Sequence, residues 1–197
     1  EKGSEVGEKI FQTNLYHYAG TGHLAIDYAK LMRVGYDGLI NEAKARLSEL
    51  SMRDPEYADK RDFYEAMIIM HEAAKKYIER YAKLCEEKAA EEKDEKRKAE
   101  LETMAANCHQ VAGGVPQTFW QAMQLFNFAT TLIQVESNGH SISYGRMDQW
   151  LYPYYEKDIK NGTLTKEFAL ELIEVEYVKM NNPTKLKDKG SMAVRNG

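Results

Sequence analysis

Five histidines and two cysteines are the side chains of this sequence best suited to acid–base, nucleophilic or metal chemistry. His71 is followed by Glu72 on a helical pattern, but Lys75 stands four residues on, so the His-Glu-x-x-His zinc motif is absent. A di-iron bundle needs Glu-x-x-His on paired helices, and Ile68 and Ala106 occupy the positions three before His71 and His109. No metal site is therefore expected. Cys108 and His109 are adjacent, and neighbours on a helix do not face each other. Cys108 reads instead as a small buried hydrophobe. No phosphate-cradling glycine loop is present. Two irregular polar segments remain. Tyr16–Tyr28 flanks His23 with glycines and is expected to deliver it to a helix start, where backbone N–H groups point outward. Glu136–Gln149 carries His140, Ser141, Arg146 and Asp148 and follows the most apolar stretch of the chain. A polar cluster arriving in an interior needs partners from protein or ligand. Structural roles for both histidines, and an internal Arg146–Asp148 ion pair, satisfy that need as well as a binding site does.

The elements that must position these groups are mostly helical. The 197 residues are 43% apolar and 29% charged, a globular composition with room for a core. A net charge of −4 argues against nucleic acid as a partner. No apolar run reaches the roughly 18 residues of a membrane span, and two cysteines without a Cys-x-x-Cys suit a reducing cytoplasm. The spacing predicts a helix over 24–50, kinked or closely packed at Gly35 and Gly38. Asp54-Pro55-Glu56 predicts the next helix start. Its core face is expected to be Phe63, Met67, Met70, Ala74, Tyr77, Tyr81 and Leu84, as packing rather than a cofactor box. Residues 86–102 hold 13 charges of mixed sign and predict a solvated helical hairpin or arm, with pairs such as Glu92–Lys96. Leu101, Met104, Ala105 and Cys108 line a further helix that closes before Gly113-Gly114-Val115-Pro116. Thr118–Gln134 is apolar on nearly every side, so that helix belongs deep in a protein interior. Asn138-Gly139 marks a turn, Ile142–Tyr144 a short buried strand, and Met147–Ile159 a helix bent or restarted at Pro153. Thr165 caps a last helix to about Met180. The segment is mainly α, with at least five helices, one or two short strands and no internal repeat.

Glu136–Gln149, continued through Trp150–Ile159, resembles the glycyl radical enzyme family, the pyruvate formate-lyase-like proteins. Gly145, Arg146, Asp148, Gln149, Leu151, Tyr152, Pro153 and Tyr155 fall on that family's pattern. Gly22-His23 followed by Asp27-Tyr28 resembles its Gly-His loop. The resemblance covers essentially the whole chain. It implies a ten-stranded α/β barrel, a glycine near the C-terminus that stores a radical, and a loop cysteine whose thiyl abstracts a substrate hydrogen. The surroundings of Cys85, Cys108 and Gly197 do not match those two loops. Residues 1–197 are therefore read as an internal segment, comprising helices around the barrel and part of the substrate pocket, and inactive alone. The resemblance further implies that His23, His140 and Ser141 bind substrate hydroxyls, as in the diol dehydratase branch. The implied reaction is elimination of water from a small hydroxylated substrate. Formate acetyl transfer, another carbon–heteroatom lysis, a decarboxylation, or a helical scaffold without chemistry stand as alternatives. No cofactor is expected in this segment. An iron–sulfur activase using S-adenosylmethionine, a homodimer and an anaerobic cytoplasm are the implied setting.

Overall fold

A computed structural model describes residues 23–136 and 142–180. Among the described residues are two strands, β1 (Leu24–Ala25) and β2 (Ile142–Ser143), and six helices. The helices are α1 (Tyr28–Ser48), α2 (Tyr57–Glu91), α3 (Glu95–Gly113), α4 (Phe119–Glu136), α5 (Met147–Lys160) and α6 (Lys166–Lys179).

The stretch apolar on all sides becomes α4 and takes the centre, touching every other helix. Phe119, Ala122, Met123, Leu125, Phe126 and Ala129 are all buried there. Its first turn is closed from outside: the Phe119 N–H donates to buried Asp158 Oδ2 of α5 at 2.7 Å, so one of the unpaired donors at the helix start is satisfied by the neighbouring helix. The 86–102 region forms the predicted hairpin. Glu92 does not pair with Lys96 there, because it turns the chain: its Oε1 accepts from the Lys93 and Asp94 N–H groups. Asp94 then caps α3 by accepting from the Arg97 N–H at 2.7 Å.

The expected core face of α2 holds in part: Ala74 is buried and Tyr77 packs against the core, but much of the stripe is rotated outward. Phe63 is 61% exposed, and Met70 and Leu84 also face outward, while Tyr81 is partly exposed with its ring against Phe128 of α4. The buried face is Ala74, Ile78, Ala82, Cys85 and Ala89, against Leu101, Ala105, Cys108, Val111 and Ala112 of α3 and its neighbours. Small side chains at four- and three-residue spacing let the hairpin's two helices lie close together, so size rather than hydrophobicity selects the inner face. The start of α2 also shifts. Asp54 accepts from the Glu56 N–H at 2.9 Å and from Lys60 Nζ at 2.7 Å, within a turn that precedes the helix. Pro153 sits inside α5 without dividing it. Its ring faces solvent, and the Gln149 carbonyl it leaves unpaired lies on an exposed residue that water can serve. Thr165 caps α6 as expected, accepting from the Phe168 N–H at 3.1 Å.

Candidate functional site

The two irregular segments meet. β1 and β2 pair in parallel, Leu24 against Ile142 and Ala25 against Ser143. The strand pair therefore begins one residue after His23 and one residue after Ser141. His23 is exposed and enters β1 with φ of +57°, in the left-handed region that few non-glycine residues occupy. It does not open the helix directly, as expected from sequence. The strand intervenes, and one of the outward N–H groups at the start of α1 is met by Asp27, whose Oδ1 accepts from the Lys30 N–H at 2.9 Å. At the other end, β2 leaves through Tyr144 and Gly145, whose φ of +63° turns the chain into α5.

Between the two strand exits lies an open groove of about 320 Å³. Its walls are the Ile26–Ala29 stretch on one side and Tyr144–Arg146 with Gln149 and Trp150 on the other. The floor is aromatic. Tyr28 stacks on Trp150 with centroids 5.1 Å apart, and Phe126 meets Tyr28, Tyr144 and Trp150 at 5.0, 5.4 and 5.2 Å. The Tyr28 hydroxyl shares a 2.9 Å hydrogen bond with Thr130 Oγ1 of α4. Burial drives that phenol well above the usual tyrosine range, so it serves as a neutral hydrogen-bonding group. Arg146 and Asp148 form a two-point pair, Nε to Oδ1 at 2.9 Å and Nη2 to Oδ2 at 2.6 Å. This pair lies at the surface beside the groove, not inside as expected, with both side chains more than half exposed. A larger hollow along α2 is lined wholly by Glu72, Lys75, Lys76, Glu79, Arg80 and Lys83. It is a solvated charge ladder away from the two motifs.

Of the residues assigned to substrate from sequence, the structure places His23 at the mouth of β1. His140 and Ser141 lie outside the described residues, as do His17 and the Asn138-Gly139 turn. The other histidines are engaged elsewhere. His71 Nδ1 bonds the Met67 carbonyl of its own helix at 2.7 Å, and His109 lies on α3 between two α2 carboxylates. Cys108 is buried, and desolvation lifts its thiol to about 12, which suits packing and not nucleophilic attack. Tyr28 stands in the sequence only as a letter of the Gly-His loop pattern, and Tyr144, Trp150 and Thr130 carry no expected role in the site. The signal available was their place beside the two polar segments, with Thr130 on the apolar helix between them.

Several known proteins share this sequence pattern and geometry. The family model described as pyruvate formate lyase-like matches residues 2–197. The (2S)-3-sulfopropanediol dehydratase of Klebsiella oxytoca is 79% identical over 196 residues, 100% of this chain and 24% of that protein. The glycerol-bound B12-independent glycerol dehydratase of Clostridium butyricum superposes with a TM-score of 0.84 at 45% identity, covering 90% of this chain and 22% of that one. A glycyl radical enzyme from Archaeoglobus fulgidus gives 0.77 at 33% identity, covering 90% and 24%. The chain thus spans about a quarter of the length of these relatives, and its helices belong with the barrel of such enzymes. With the family model spanning residues 2–197 and both sequence and backbone matching these relatives, the chain belongs to the pyruvate formate lyase-like family of glycyl radical enzymes, on its diol dehydratase-like side.

Proposed function

We propose that this chain supplies part of the substrate pocket of a glycyl radical dehydratase that removes water from a small vicinal diol. The observation that carries this reading is the parallel β1–β2 pairing, which joins the exit of the Gly-His loop to the exit of the His-Ser segment. The identity to a sulfopropanediol dehydratase and the likeness to a glycerol dehydratase support diols as the substrate class, a sulfonated diol first. In this reading His23, His140 and Ser141 hold the hydroxyls. The glycyl radical, through the cysteine thiyl it would generate by taking the thiol's hydrogen, would supply hydrogen abstraction from outside this segment. An imidazole titrates where it can hand a proton to the departing hydroxyl, and a serine hydroxyl both donates and accepts toward the neighbouring one. A radical-installing partner and an oxygen-free cytoplasm complete the proposal.

The test uses the full-length protein, activated anaerobically and offered (2S)-3-sulfopropanediol, glycerol or propane-1,2-diol, with aldehyde formation as the readout. His140→Ala or Ser141→Ala should lower turnover by about 10²-fold or more, the usual worth of a positioned acid–base group, while the glycyl radical signal stays intact. Wild-type turnover in both variants, or loss of the radical along with activity, would sink the assignment.

A further inference from the structure

Glu176 is the carboxylate that the fold treats least like a surface group. It lies on α6 facing α4 and is 5% exposed. Its Oε2 accepts one hydrogen bond, from Asn127 Nδ2 of α4 at 3.0 Å. Its Oε1 is buried and has no hydrogen-bond partner. No lysine or arginine among the described residues pairs with it. The titratable groups that feel it are the Tyr28 phenol of α1, the Tyr144 phenol after β2 and, three residues along its own helix, Lys179. A carboxylate in such surroundings lacks the two or three donors or the counter-ion that would stabilise its charge, and it is cheaper to keep the proton.

We propose that Glu176 is a neutral, proton-bearing positioning residue whose proton keeps α6, α4 and Tyr144 packed together behind the groove. The consequence follows from where its neighbours lead. Tyr144 sits between β2 and the Gly145 turn, and its ring packs on Phe126, buried beneath the groove. When Glu176 ionises, an uncompensated charge faces two phenols in an apolar layer. Water must then enter to solvate it, which loosens the contact that fixes the β2 exit. Burial, the largest influence, pushes this carboxyl from its usual 4.5 up to about 7, against smaller opposing effects of Asn127 and Lys179. The sign is that of an acid whose folded value is raised. Global stability therefore falls as pH rises from about 4.5 to about 7 and stays lowered above that, whereas the packing itself holds while Glu176 keeps its proton and loosens as pH passes through about 7. Its role in shaping the groove rests on the diol dehydratase reading. The proton itself does not.

The experiment uses the full-length protein. Hydrogen exchange of the backbone over 142–146, corrected for intrinsic exchange rates, should become several-fold faster between about pH 6 and about pH 8. In Glu176→Gln, an isosteric neutral side chain, it should stay at the slow level throughout. Infrared spectra should show a protonated-carboxyl band that titrates near neutrality and vanishes in Glu176→Gln. Protection of 142–146 that ignores pH in the wild type, or a titrating band that persists in Glu176→Gln, would overturn the proposal. If the variant does not fold, the wild-type exchange profile still decides. Where no diol is turned over but the exchange profile appears, the dehydratase reading fails and the buried proton stands.

Discussion

His109 offers both ring nitrogens to carboxylates, Nδ1 to Glu79 Oε2 and Nε2 to Glu86 Oε1, each at 2.8 Å. Only the imidazolium carries two N–H donors, so the clamp selects the charged ring. Hydrogen bonding to Glu86 is the largest of the effects that raise its pKa above the usual 6.5, with Glu79 adding to it. A histidine raised in the fold stabilises it fully below its ordinary value, and that help is lost as pH climbs through the raised one. All three side chains are at least 40% exposed, so solvent and salt screen most of the effect. Trypsin cleavage between Lys93 and Lys98, at the hairpin turn and the first residues of α3, should be faster in His109→Gln than in wild type near pH 6. The two rates should converge near pH 9, and at any pH in high salt; equal rates at pH 6 would rule the clamp out as a source of stability. The sequence could not show this residue's role. In the linear chain His109 stands beside Cys108; its partners lie on α2, and only the antiparallel hairpin brings Glu79 and Glu86 across to it. The groove is legible in part for a similar reason: Gly145 and Arg146 were readable as motif letters, whereas the Tyr28–Trp150 stack needs the two segments already joined.

Among elements, α1 meets the end of α3 at a glycine that tolerates no side chain. Gly35 interrupts α1 with φ of +63° and ψ of −179°, and a Cβ there would lie 2.5 Å from the Gly113 carbonyl oxygen and 2.7 Å from that of Gly114. Both obstacles are backbone, which cannot swing aside. Gly145 has the same φ but nothing within 4 Å. Gly35→Ala should therefore destabilise the protein by about 3 kcal/mol or more, combining left-handed strain with a backbone clash, and Gly145→Ala by only about 1–2 kcal/mol. Denaturant melts of the two variants side by side check this, and equal losses would show that strain alone matters. The kink itself was legible, because glycines three apart inside a helical run weaken the helix unless a bend or a close backbone approach needs them. The inner face of α2 was not, since hydrophobicity marks large residues while a tight hairpin selects alanine and cysteine. Nor was β1 legible: two residues carry no periodicity, and Leu24 looks like the first turn of a helix until Ile142 is set beside it.

At the scale of the molecule, exposed apolar side chains among the described residues gather chiefly along α2 and α6. Phe63, Ile69, Met70, Tyr81 and Leu84 project from α2, and Leu170, Val175, Tyr177 and Val178 project from α6. Scattered exposed hydrophobes are ordinary, but several along one helix make a patch of the kind that other protein covers. The two faces differ in what stands behind them. The α2 residues stand mostly away from α3, which fills the hairpin's inner side, with Tyr81 reaching Phe128, whereas α6 packs on α4, the central helix. Each fully exposed side chain of this size forgoes about 1.5–3 kcal/mol of burial, so the segment's own core is asked to hold a fold that leaves much of its driving force unused. Expressed alone, the 197 residues should bind a hydrophobic dye and sediment as concentration-dependent assemblies. Leu170→Ser with Val178→Ser should lower both more than Phe63→Ser with Met70→Ser, because the α6 face adjoins the apolar interior. A soluble monomer with a sharp cooperative melt would instead mean that the helices around α4 form a self-sufficient unit, and that its exposed faces are surface and not interface.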